Sequence, residues 1–112
     1  MLSSVNRLKK RKEFAYLYNH GNAKHTAHLT IVYLPTKSRA LKVGFSVAKK
    51  IGKAHTRNFV KRRLRVIVRE FVTSMPDNFN IVFIAKSGIE NLTYSDMRTE
   101  VQQLLLKSGF VK

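Results

Sequence analysis

Apolar positions change their period several times along the chain, and each change marks an element. Phe14, Leu17 and Tyr18 recur at the i, i+3, i+4 spacing of one helical face, which predicts a short helix over roughly residues 10–19. Gly21 stands just past its end, where a left-handed cap is easy for glycine. His28-Leu29-Thr30-Ile31-Val32-Tyr33-Leu34 is β-branched and aromatic and stops at Pro35, as a strand does. Leu41 to Ala48 then alternates, with Val43, Phe45 and Val47 to one side and Lys42, Gly44 and Ser46 to the other. These two runs read as an antiparallel pair.

A basic loop from Lys49 to His55 leads into a long helix that starts at Thr56 or Arg57 and runs to Val72, with Met75-Pro76-Asp77-Asn78 closing the region. Ile81-Val82-Phe83-Ile84-Ala85 is apolar without a break, so it predicts a strand buried on both faces or central in the sheet. The last helix starts near Thr93, with Asp96 as an acidic version of the capping box. Met97, Val101, Leu104 and Leu105 form its buried stripe, and Gly109 follows its end. The order is α-β-β-α-β-α, and residues 23–26 are open to one more short strand. This is an α+β, two-layer sandwich of helices on a small sheet, one domain over residues 1–112.

Charge changes the picture from a bland domain to a specialised one. The chain has 22 Lys and Arg against 6 Asp and Glu, a net charge of +16 in 112 residues, where a small domain ordinarily carries a net charge of about 2–8 in magnitude. Residues 1–69 hold 18 of the basic residues and a single acid, Glu13. Self-repulsion on this scale points to a polyanionic partner. With no cysteine, disulfides and thiolate metal sites are excluded. No apolar run approaches the roughly 18 residues of a membrane span. The basic N-terminus lacks the apolar core of a signal peptide, so the expected compartment is the cytoplasm.

The long helix concentrates this charge on one side. At about 100° per residue, Asn58, Lys61, Arg62, Arg65 and Arg69 share one wedge, while Val60, Leu64, Ile67, Val68 and Phe71 share another. Arg63 falls outside both. Lys61, Arg65 and Arg69 repel one another at i, i+4 spacing, and no acid follows until Glu70. Such a face suits phosphates better than bulk water. Lys49, Lys50 and Lys53 lead into the helix N-terminus, whose free N–H groups and dipole also attract phosphate. Thr56 or Asn58 is either an N-cap or an RNA contact, and His55 either meets RNA or bonds locally. Phe14 and Tyr18, beside Arg7, Lys9, Lys10, Arg11 and Lys12, either stack on unpaired nucleotides or pack into the core.

Little here is suited to catalysis. There is no close carboxylate pair, no Gly-rich phosphate loop and no His-x-x-x-His, and His20, His25, His28 and His55 are scattered. A protein metallonuclease needs clustered acids to hold Mg²⁺. If RNA is cut, the chemistry is expected to lie elsewhere, with no catalytic residue, metal or cofactor held by this chain.

The stretch Phe45-Ser46-Val47-Ala48-Lys49-Lys50-Ile51-Gly52-Lys53-Ala54-His55-Thr56-Arg57-Asn58-Phe59-Val60-Lys61-Arg62-Arg63-Leu64-Arg65 resembles the signature of the bacterial ribonuclease P protein family. Arg57, Asn58, Lys61, Arg62 and Arg65 match that family's helix motif residue by residue. The motif's third position, usually Arg, is Phe59 here. Flanking runs around Phe14, Tyr18 and Gly21, at Ile81 to Lys86 and at Leu92-Thr93 extend the resemblance to nearly the whole chain.

The resemblance implies a fold with a left-handed β-α-β crossover, an exception to the usual hand. It implies a protein subunit that binds a catalytic RNA through Lys49, Lys50, Lys53, His55, Arg57, Asn58, Lys61, Arg62, Arg65 and Arg69. A cleft holding Phe14, Tyr18 and Arg11 would receive the 5′ leader of precursor tRNA, and the cleft aromatic of the family aligns with Tyr33 or with Val32. The RNA would perform the Mg²⁺-dependent hydrolysis, with no membrane and no obligate protein partner involved. The alternative is a non-catalytic RNA-binding protein of the ribosome or of another ribonucleoprotein.

Overall fold

The apolar run Ile81–Ala85 lies at the heart of the sheet. In the structure, a computed structural model that describes residues 11–37 and 41–111, it belongs to the strand Phe79–Ala85. In chain order the elements are α1 (Arg11–His20), β1 (Asn22–His25), β2 (Leu29–Pro35), β3 (Lys42–Ser46), α2 (Ala54–Arg69), β4 (Phe79–Ala85) and α3 (Tyr94–Lys107). Short 3-10 turns occupy Lys49–Ile51, Val72–Ser74 and Ile89–Asn91. The sheet runs β1-β2-β4-β3, with β2 antiparallel and β3 parallel to β4. The additional short strand is β1, paired antiparallel with β2.

The expected pairing of β2 with β3 is therefore wrong: β4 lies between them. The physical reason is the composition of β4. Ile81, Val82 and Phe83 are fully buried, which requires a neighbour on each edge as well as cover on each face. Phe83 accordingly faces Ile31 in β2 and Phe45 in β3. The connection β3–α2–β4 is a β-α-β crossover.

Alternation in the strands sorts side chains between the two faces. Leu29, Ile31, Val43, Ile81 and Phe83 join Val60, Leu64, Ile67 and Val68 of α2, and Met97, Val101, Leu104 and Leu105 of α3, in one main core. Val32 and Val82 point the other way and meet Leu17 of α1, with Phe14, Leu34 and Ile84 packed around them. Helix α1 thus adds a partial layer to the second face. Tyr33 packs edge-on against Phe110 on the main-core side, so Val32, not Tyr33, lies on the face of α1.

Two local expectations are corrected. Gly21 has no positive φ, unlike Gly88 and Gly109. Its role is close approach: a Cβ there would lie 2.6 Å from the Leu17 carbonyl oxygen and 2.7 Å from Val32 Cγ1. The chain turns from α1 into β1 directly against the sheet. Helix α2 begins at Ala54 and ends at Arg69, with Lys53 as N-cap and no side-chain cap bond, so neither Thr56 nor Asn58 caps it. Thr56 instead packs over Gly52. For α3 the expected cap is present, with the Asp96 N–H donating to Thr93 Oγ1 at 3.1 Å.

Glu100 of α3 fastens the β1–β2 turn. It accepts from Thr26 Oγ1 at 2.6 Å and from the His28 N–H at 2.8 Å, and its other oxygen lies 2.6 Å from His28 Nδ1. Burial pushes this carboxyl up, but those hydrogen bonds and the attraction of His28 outweigh it and hold Glu100 below the ordinary glutamate range. A depressed carboxylate contributes stability above the unfolded value of about 4.3, lost as pH falls through the lower folded one. Thermal melts between pH 3 and pH 6 should therefore fall more steeply for the natural chain than for Glu100→Gln. Parallel curves would dissociate Glu100 from acid sensitivity.

Candidate nucleic-acid interface

Along α2 the wedge of polar residues emerges on the surface. Asn58, Arg62 and Arg69 are exposed, while Lys61 and Arg65 are half-buried along its edge. Arg57 lies on the apolar side of Lys61, and it too is half-buried. Among the described residues no acid forms an ion pair with any cation of this helix; the three ion pairs join His28 to Glu100, Lys42 to Glu13 and Arg98 to Glu70. The Nε atoms of Arg57 and Arg65 are buried without a hydrogen-bond partner. A buried donor without an acceptor costs about 1–3 kcal/mol, a cost the fold carries on the helix whose cations also go without acid partners.

The loop before α2 continues this surface. Lys49, Lys50 and Lys53 are exposed where the chain enters the helix, and Ile51 anchors the 3-10 turn in the core. The His55 side chain is exposed and makes no hydrogen bond among the described residues, so its ring does not bond locally. Arg63 donates to the Leu92 carbonyl at 3.2 Å and covers the Phe59 ring at 4.4 Å, so Phe59 does not pack inward.

A groove of about 410 Å³ opens along the free edge of β3, between α1 and α2. Arg11, Phe14 and Tyr18 of α1 form one wall, Phe45, Ser46 and Val47 its floor, and Lys61 the other wall. Leu17, fully buried on the sheet, sets the height of α1. Phe14 is half-buried against the smaller core, whereas Tyr18 is 46% exposed. The rings of Phe14 and Tyr18 stand 6.4 Å apart, and Phe45 is fixed by stacking on Phe83 at 5.8 Å.

The structure thus brings Arg11, Phe14 and Tyr18 together with Lys61. Arg62 and Arg69 do not line this groove, and Arg7, Lys9 and Lys10 lie outside the described residues. Phe45, Ser46 and Val47 are not among the residues the sequence marks for the groove, because alternation says only that Phe45 and Val47 share one side of the strand and Ser46 the other. Their signal was position: they immediately precede the basic loop. Among the described residues no three His, Cys, Asp or Glu side chains gather as a metal site. No described helix is long and apolar enough to cross a membrane.

An uncompensated cationic helix beside an aromatic groove places the molecule in the polyanion-binding class. The family profile for Ribonuclease P matches residues 2–109. The chain is 32% identical over 99 residues to the ribonuclease P protein component of Streptococcus pneumoniae, covering 88% of this chain and 80% of that one. Its fold is similar to the RNase P protein of Staphylococcus aureus, with a TM-score of 0.89 at 22% identity over 96% of this chain and 98% of the other. The RNase P protein from Thermotoga maritima has a TM-score of 0.82 at 25% identity, covering 90% and 96%. The chain belongs to the ribonuclease P protein family, the protein subunits of a tRNA-processing ribonucleoprotein. That membership favours an endoribonuclease subunit over a ribosomal RNA-binding protein.

Proposed function

We propose that the α2 surface holds the catalytic RNA of ribonuclease P while the groove beside it receives the 5′ leader of precursor tRNA. Lys49, Lys50, Lys53, His55, Arg57, Asn58, Lys61, Arg62, Arg65 and Arg69 are assigned to RNA, and Arg11, Phe14 and Tyr18 to the leader. One observation carries this reading: Lys61 belongs both to the cationic stripe and to the groove wall opposite Phe14 and Tyr18. A strand in the groove then has a phosphate partner on one side and π-faces on the other. The hydrolysis is that of the RNA, and Mg²⁺ serves the RNA. In this reading the chain contributes binding and orientation, acts in the cytoplasm and needs no obligate protein partner.

Base stacking is tolerant of sequence, and losing one platform weakens binding roughly 5- to 150-fold. Phe14→Leu and Tyr18→Leu keep apolar bulk but lose the ring. In the reconstituted holoenzyme each should reduce the preference for precursor over mature tRNA on that scale, with Tyr18→Leu melting near the natural chain because Tyr18 is exposed. An intact preference in both variants would move the leader site elsewhere.

A further inference from the structure

Phe59 occupies the position where the family motif usually has Arg, and its surroundings are organised. The side chain is 38% exposed. One turn on, the Arg63 guanidinium lies over its ring, 4.4 Å from the centroid, and 5.9 Å from the ring of Tyr94. Arg63 is held in place by its bond to the Leu92 carbonyl. Tyr94 donates to Glu70 at 3.4 Å, and Arg98 donates to the same carboxylate at 2.7 Å. An aromatic–guanidinium–aromatic stack is thus fixed at the surface by hydrogen bonds, with Val66, 46% exposed, further along α2. On the helix it flanks the basic wedge on the side away from Lys61 and the groove.

We infer that Phe59, clamped by Arg63 and backed by Tyr94, is a stacking platform for an unpaired nucleobase of the RNA that α2 grips. The inference rests on the RNA-binding reading of α2. Size favours a base over a protein. Only the rings of Phe59 and Tyr94 and the isopropyl group of Val66 are exposed apolar groups in this patch among the described residues, far too few to supply the roughly 800 Å² per partner of a stable protein interface. Charge agrees, since Asn58 and Arg62 adjoin the ring on the wedge side of the helix, while Glu70, the carboxylate that Tyr94 bonds, is already paired with Arg98. The base must be unpaired, because a base within an A-form helix keeps both faces stacked. Stacking replaces the phosphate contact that an arginine would make here.

The chain contains no tryptophan, so Phe59→Trp installs a single indole reporter. Full-length Phe59→Trp is titrated with transcribed ribonuclease P RNA, with filter retention read in parallel. Indole emission should be quenched in step with saturation, at near-natural affinity. Phe59→Leu should weaken retention roughly 5- to 150-fold at an unchanged melting temperature. The slope of log affinity against log salt should be unchanged, because stacking releases no counterions. RNA retained at full affinity by Phe59→Leu, with emission from Phe59→Trp unmoved, would overturn the platform and leave the RNA-binding reading of α2 standing. No retention of RNA by the natural chain would remove that reading and the platform with it. Emission that shifts with protein concentration in the absence of RNA would assign the face to self-contact and equally overturn the inference.

Discussion

Freed of all RNA, this protein should leave precursor tRNA uncut at every Mg²⁺ concentration, and addition of the ribonuclease P RNA should restore leader removal. The expectation follows from where the acids are. Residues 1–69 contain one, Glu13, and it lies 3.4 Å from Lys42. Glu70 is bound by Arg98, Glu100 by Thr26 and His28, and Glu90 accepts from the Gly88 N–H. These carboxylates are thus engaged within the fold and dispersed. Two-metal cleavage of a phosphodiester needs several oxygen ligands converging on two ions about 4 Å apart. The measurement is 5′ cleavage by protein refolded from denaturant and treated to remove nucleic acid. Robust trimming by that preparation would make the chain a nuclease in its own right and overturn its role as an RNA's partner.

Replacing Lys61 and Arg65 together by Ala should flatten the salt dependence of RNA binding by about 1.4–1.8 units of slope, each phosphate contact contributing about 0.7–0.9. Between 50 and 200 mM salt that difference amounts to roughly a tenfold change in how much affinity is lost. Stability should not explain the result. Lys61, Arg65 and Arg69 are like charges at successive turns, each such pair costing a few tenths of a kcal/mol, so their removal relieves repulsion and offsets the lost packing of the side-chain stems. Affinity measured across the salt series, with a melting curve for each variant, separates the two effects. An unchanged slope would make the wedge an ordinary solvated face.

Helical features were legible in the sequence because their determinants are local. The buried stripe of α3, its Thr93 cap and the two wedges of α2 each depend on residues within a few turns of one another. Strand partners were not legible. Alternation around Val43 and Phe45 reports which face is buried, but not which edge is paired, and nearness in the chain favoured β2 over a β4 that follows a whole helix later. Caps failed where residue type misled: Thr56 has the preferred chemistry, yet the backbone turned into the helix earlier, at Lys53. Gly21 failed similarly, since both a left-handed turn and a tight approach to Val32 ask for glycine. In the site, the cations were visible as a pattern, whereas the buried Nε atoms of Arg57 and Arg65 depend on how deeply α2 sinks against the sheet. Tyr18 and Phe45 were assigned by period, and the open edge of β3 then placed both on a groove.

That β4 separates β2 from β3 also bears on synthesis at the ribosome. Among the described residues, strand β3 hydrogen-bonds to no strand made before it, so the strand that forms the groove floor gains its partner only when residues 79–85 have emerged. Up to that point the nascent chain is a cationic polymer with the β1–β2 hairpin and whatever helix forms locally. A fragment ending after α2 would hold nearly all the charge and no completed sheet. Its attraction for RNA would be indiscriminate, because nothing would yet fix Lys61 opposite Phe14 and Tyr18. The groove proposed for the leader is therefore completed by a strand that carries no charge at all.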